Sequence, residues 1–176
     1  MARFATYIDI LMELWYFSGY FIWKGLCTMF AILYPEAVVV NTERLDKERA
    51  ITSLVNLACK VYEIGDCSEI LDNVIDRESK LSTGIGLEVA VPHCRSYQVT
   101  HSVLAVMLAR QGVEYNSIDG KPVKLLVLII SPEKDITGHL SSLSAISNAV
   151  SNESIRTRML NSQTGSELYR YLSEIH

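Results

Sequence analysis

Residues Leu81–Arg95 read LSTGIGLEVAVPHCR. Gly84 and Gly86 mark a tight loop, and the apolar run Val89–His93 behind it predicts a strand that ends in Pro92-His93. Working outward, Ser102–Ala109 predicts a longer apolar strand closed by a Gln111-Gly112 turn, and Asp119-Gly120 marks a further turn. Lys124–Ile130 is an unbroken apolar run, the pattern of a strand buried on both faces, and Pro132 ends it. Val38–Val40 adds a short β-branched strand. Between these strands lie helical patterns. Asp46 is placed to cap a helix over Lys47–Tyr62, with Ile51, Leu54, Val55 and Ala58 on one stripe. Gly65 and Asp66 break it. Ser68 is placed to cap a second helix over Glu69–Glu78, with Leu71, Val74 and Ile75 facing inward. Three more helices are expected at Thr137–Val150, Glu153–Leu160 and Ser166–Ile175. Strands and helices interleave, so the expected class is α/β: a single layered domain with a mixed β-sheet flanked by helices.

The chain has 176 residues, enough for one domain with a substantial core. Charged residues make up 20% and the formal net charge is −4, which lacks the basic footprint of a nucleic-acid binder. The four cysteines, Cys27, Cys59, Cys67 and Cys94, form no C-x-x-C pair, so reduced thiols in a cytoplasmic protein are expected. Aromatic residues are lopsided: all four Phe and both Trp lie at or before Phe30. That shift sets a boundary between an extra aromatic-rich hydrophobic segment, 1–28, and a domain over 29–176. Leu14–Tyr34 carries one charge, Lys24, and is long enough to cross a bilayer. Three readings stay open for it: a membrane anchor, so that any membrane contact would run through residues 14–34; an amphipathic or core-capping helix; or sequence upstream of a true start at Met29. The weak basic flank and the lack of a cleavage site argue against a signal peptide.

His93 is the first candidate for chemistry. An imidazole has an ordinary pKa of roughly 6.5, so much of it is a neutral nucleophile near neutral pH, and the rigid strand before it would hold the ring still. The plain alternative is a strand-end histidine bonded to a loop. His139 falls in the first turn of its helix, in line with Leu143, Ile146 and Val150, where backbone amides and the helix dipole favour an anion. It could equally be a half-buried helix-start residue. Ser82, Thr83, Gly84 and Gly86 could cradle a phosphoryl group, shape a docking surface or form a plain turn. No Walker motif is present, so no nucleotide site or other cofactor is expected. The spacing of His93, Cys94 and His139 carries no metal signature, and no metal is expected.

These stretches resemble the enzyme IIA domains of the bacterial phosphotransferase system, in the fructose, mannitol and nitrogen-regulatory class. Arg77-Glu78, then Ser82-Thr83-Gly84-Ile85-Gly86, then Ala90-Val91-Pro92-His93 follow that family's active-site order and spacing. Ser117–Val123 resembles its Asp-Gly-x-Pro-Val strand entry, and His139-Leu140 its second histidine. The resemblance covers about Met29 to the C-terminus, and a free-standing chain with Ser-Thr-Gly-Ile-Gly looks closest to the nitrogen-regulatory branch. It implies a phosphotransferase component acting as a phosphocarrier. A phosphorylated histidine carrier protein would be the donor to His93, with no need for ATP or Mg²⁺. An enzyme IIB or a regulated protein would be the acceptor or target. It also implies a phosphate-binding role for Arg77, whose guanidinium suits an anion, although a solvated arginine closing a helix fits that position too.

Two departures from the family pattern bear on this. Cys94 stands where glycine is usual, adding bulk where a partner approaches. Leu87-Glu88 stands where Asn-Gly is frequent, and Glu88 brings a negative charge towards the expected phosphate. They favour the competing expectation, a regulatory protein-binding module that no longer exchanges phosphate.

Overall fold

The structure, a computed structural model, describes residues 33–174; the segment 1–28 and the first residues of the domain lie outside that range. After a 3-10 turn at Pro35–Ala37, the elements are β1 Val38–Asn41, α1 Lys47–Val61, α2 Cys67–Lys80, β2 Gly84–Gly86, β3 Val89–Ala90, β4 His93–Ser96, β5 Val103–Val113, β6 Val123–Pro132, α3 Ile136–Ser151, α4 Glu153–Asn161 and α5 Gly165–Ser173.

One sheet runs in the order β1-β5-β6-β3-β2, with β4 also paired to β6. It is mixed, as expected: β1–β5, β3–β6 and β4–β6 are parallel, and β5–β6 and β2–β3 are antiparallel. Consecutive residues Val103–Ala109 and Leu125–Ile130 are all buried. Because neighbouring strand residues point to opposite faces, both faces of the central pair must be covered. Helices α1 and α5 pack on β5 and β1, and α3 packs on β6. Asp46 caps α1 through the Arg49 amide, as its position predicts.

Several local expectations need correction. The cap of α2 is Asp66, whose carboxylate accepts from the Glu69 amide, while Ser68 donates to Asp66. The buried face of α2 is Ile70, Val74 and Glu78; Ile75 is exposed. Gln111-Gly112 is no turn but a register shift inside β5, with Gly112 at φ +72° taking up the irregularity. Cys59 and Cys67 are joined in a disulfide that ties the end of α1 to the start of α2, against the expectation of reduced thiols throughout. Of the cysteines in the described range only Cys94 is free.

The largest correction concerns Val89–His93. It is two strands, β3 and β4, both lying along the same edge of β6 and separated by Val91-Pro92. Proline has no N–H, so the ladder is interrupted there. The Val91 carbonyl is thereby turned to a side chain, the ring of His93.

Candidate functional site

His93 opens β4 and is half-buried. Its Nδ1 lies 2.8 Å from the Val91 carbonyl oxygen, which can only accept, so Nδ1 carries the ring hydrogen. Its Nε2 receives the Nε–H of Arg77 over 3.1 Å and is therefore the unprotonated nitrogen. The two bonds agree on one tautomer, with the lone pair on Nε2. Burial lowers the His93 pKa most; the Val91 bond pulls it up, the Arg77 charge lowers it, and Glu78 pulls weakly up, with a net lowering. That net lowering and the Arg77 bond both favour the neutral ring, with its lone pair on Nε2.

Arg77 sits in the last turn of α2, and its Nη1 also donates to the Leu81 carbonyl over 3.0 Å. A guanidinium has five N–H donors, so three remain to meet an anion. His139, in the first turn of α3, is buried, as its place in the apolar line predicts. Its ring centroid stands 5.3 Å from that of His93. Burial, then the charges of His93, Arg95 and Arg77, bring its pKa down to about 4, with Asp135 pulling weakly upward. It too is neutral.

His93, His139 and Arg77 line one cavity with Asn73, Asp76, Cys94, Arg95 and Glu133. Arg95 is a residue that reading the sequence missed. It follows His93 by two on a strand, so it faces the same side. Its Nη1 donates to the Glu133 carbonyl over 3.0 Å, and its Nη2 lies 3.8 Å from the Glu133 carboxylate. That spacing was legible in the sequence, had strand alternation been applied beyond His93.

The amides of the glycine loop make hydrogen bonds within the protein. The Thr83 amide donates to the Glu78 carboxylate at 3.0 and 3.1 Å, and the Thr83 hydroxyl makes a very short bond to it. The Gly84 amide donates to Ser82 Oγ, and the Gly86 amide to Ser117 Oγ. Ser82 in turn donates to the Tyr115 carbonyl. Three of the amides expected to hold phosphate are therefore already engaged within the protein. Gly84 is required for another reason: a Cβ there would stand 2.9 Å from the Ser117 Cα. What the loop presents outward is apolar, with Ile85 and Leu87 exposed beside Ile118.

Glu78 anchors this arrangement from behind. It is buried, pairs with Lys47 at 2.6 Å, and meets the Tyr115 hydroxyl at 3.4 Å. Lys47 donates to the Tyr115 carbonyl over 3.1 Å and stands 4.5 Å from the centre of its ring. The motif pair Arg77-Glu78 is thus divided, one side chain to the cavity and the next to the interior.

The Cys94 side chain is buried, and burial pushes its thiol up to about 12, so it stays protonated. Glu88 is paired with Lys124 at 2.6 Å and is absent from the cavity lining. Leu87 and Glu88 occupy left-handed backbone, φ 58° and 63°, the two-residue hairpin turn for which Asn-Gly is suited.

Residues 31–175 match the family described as "Phosphoenolpyruvate-dependent sugar phosphotransferase system, EIIA 2". The chain is 30% identical to a fructose-specific EIIA component from Haloferax volcanii, over 80% of this chain and 91% of that protein. It is also 30% identical to a nitrogen regulatory protein from Pseudomonas aeruginosa, over 82% and 94%. A fructose-specific EIIABC component from Bacillus subtilis is 31% identical, but the chain spans only 21% of its length. Among solved structures, the nitrogen regulatory protein IIA-Ntr from Neisseria meningitidis superposes with a TM-score of 0.76 at 28% identity, over 82% of this chain and 99% of that one. Enzyme IIA mannitol from Escherichia coli, in complex with phosphorylated enzyme IIB mannitol, shares the fold with a TM-score of 0.68 at 20% identity, over 80% of this chain and 96% of that one.

Proposed function

This chain belongs to the EIIA 2 family of the phosphoenolpyruvate-dependent sugar phosphotransferase system, and from that premise we propose that His93 Nε2 is its phosphoryl acceptor. The donor is a phosphorylated histidine carrier protein. The phosphoryl group moves in line: the P–N bond to the donor imidazole breaks as a P–N bond to His93 Nε2 forms. Arg77 gives up its hydrogen bond to Nε2 and turns its guanidinium to the phosphoryl oxygens. The Nδ1–H bond to Val91 is kept throughout, so the ring does not turn. Positive charge at the attacking nitrogen is shared across the imidazole and steadied by that carbonyl. Arg77 and Arg95 offset the negative charge of the product, and His139 borders it.

The observation that carries this reading is the pair of hydrogen bonds that put the His93 lone pair on Nε2 with a guanidinium against it. From His93 the group passes to a IIB partner, or its presence on His93 is read by a regulated protein. The fructose-specific and nitrogen-regulatory relatives match equally well, so both outlets belong to the proposal. The carrier unit spans residues 29–176 and works in the cytoplasm. No helix among the described residues is long and apolar enough to cross a membrane. The exposed loop residues Ile85, Leu87 and Ile118 form the docking face.

The test is incubation of the full chain with phosphorylated histidine carrier protein, followed by intact mass, beside His93→Ala. An acid-labile gain of one phosphoryl group, absent from the variant, is expected. No transfer from several competent carriers would leave a regulatory binding module as the better account.

A further inference from the structure

The second histidine is held by two serines that the motif resemblance does not include. Ser131 lies on β6, fully buried, and its Oγ is 3.1 Å from His139 Nδ1. Ser102, immediately before β5, donates its hydroxyl hydrogen to Ser131 Oγ over 3.1 Å. The two are cross-strand neighbours, one step beyond the Val103–Ile130 pair. Ser131 therefore accepts from Ser102 and has one hydrogen of its own to place. Among the described contacts, the acceptor for it is His139 Nδ1. If Nδ1 carried a hydrogen instead, Ser131 would receive two donors and leave its own hydrogen without a partner in a buried site, an arrangement that proteins avoid. The hydrogens thus run from Ser102 to Ser131 to His139 Nδ1, and the His139 ring hydrogen sits on Nε2.

We propose that Ser131, supported by Ser102, is a positioning residue for phosphoryl transfer: it holds His139 as the Nε2–H tautomer, so that the ring offers the phosphoryl group on His93 a neutral hydrogen-bond donor. This rests on the phosphocarrier reading of His93. The two imidazoles are then set oppositely. His93 keeps its hydrogen on the protein side and its lone pair for the incoming group. His139 spends its lone pair on the protein side and keeps its hydrogen for the cavity that both rings line. The opposite tautomer would aim a lone pair at anionic oxygens and repel them. No bond to hydrogen is made or broken at His139, and its neutrality at working pH suits a donor that does not titrate during the cycle.

Long-range ¹H–¹⁵N NMR of the imidazoles in the full chain reads both tautomers, whether or not phosphate is present. At neutral pH His139 is expected as Nε2–H and His93 as Nδ1–H. Ser131→Ala should mix the His139 tautomers, leave the His93 pattern alone and slow phosphorylation by about 3–10-fold, the worth of one ordinary hydrogen bond. Ser131→Thr, which keeps the hydroxyl, should restore both, and Ser102→Ala should give a weaker version of the alanine effect. If Ser131→Ala fails to fold, the other two variants carry the comparison. Nδ1–H on His139 of a chain that is phosphorylated overturns the relay alone, as does a Ser131→Ala chain with unchanged tautomer and rate. A wild-type chain that takes up no phosphoryl group overturns the carrier reading, and with it the role given to the tautomer.

Discussion

Two polar clusters lie back to back in this domain, divided by the single step from Arg77 to Glu78. Behind, Lys47, Glu78, Thr83 and Tyr115 form a closed set: the Glu78 carboxylate meets an ammonium, an amide and two hydroxyls, and these groups also bond one another. In front, Arg77, His93, Arg95 and His139 form an open set, with guanidinium donors and imidazole edges turned to a cavity. The difference teaches how to tell scaffold from site. A cluster whose hydrogen-bonding capacity is filled within the protein supports the fold, while one with capacity to spare is shaped for a ligand. Neighbours in the chain fall on opposite sides because successive residues on a helix are about 100° apart.

The comparison predicts that variants of the front cluster lose transfer but keep stability, and variants of the back cluster the reverse. The largest effect is His93→Ala, which should abolish phosphorylation in the intact-mass assay while leaving the urea midpoint close to wild type. Next is Glu78→Ala. Removing one partner of a buried ion pair costs about 3–5 kcal/mol, and Lys47 retains 26% side-chain exposure to hydrate its charge, so urea unfolding should show a loss near ~3 kcal/mol. A loss under ~1 kcal/mol would break the division drawn here. Arg77→Ala should slow transfer by about 100-fold in stopped-flow with unchanged unfolding, in line with loss of a donor to developing charge.

pH sharpens the contrast. Because folding lowers the pKa of His139 from 6.5 to about 4, the unfolded chain takes up a proton in that window and the folded one does not. The contribution to stability is level above pH 6.5, falls as pH drops from 6.5 to about 4, and is level again below. In His139→Gln the loss over that window should be smaller, as seen by urea midpoints at several pH values. The smallest effect is at the hairpin: Leu87→Asn with Glu88→Gly should relieve left-handed strain worth roughly 1–2 kcal/mol per residue, less what the loss of the Glu88–Lys124 pair takes back. A net gain of about 1 kcal/mol in unfolding free energy from urea titration is expected.

Much of the fold was legible because its signals are local. Asp46 beside an apolar stripe announces α1, and the unbroken run Lys124–Ile130 announces a strand buried on both faces. The misses occur where distant residues override a local pattern. Val89–His93 looks continuous, but Pro92 divides it and frees the carbonyl that sets the His93 tautomer. Glu78 ends its helix in the sequence with nothing to set its direction, yet Lys47, thirty-one positions earlier, and Thr83 draw it inside. The Ser-Thr-Gly loop reads as an anion cradle by its glycines, but whether its amides are free depends on Glu78 and Ser117, which spacing alone does not bring to it.

By itself, then, the sequence determined the class of fold, the order of its elements and His93 as the residue to test, because apolar periodicity, capping and motif spacing act over a few residues. Only the tertiary structure decided which nitrogen of His93 carries the lone pair, that Arg95 shares its cavity, that Glu78 faces away from it, and that Ser131 and Ser102 stand behind His139. Those facts depend on hydrogen bonds a few ångströms long between residues far apart in the chain, and such distances exist only once the sheet has formed.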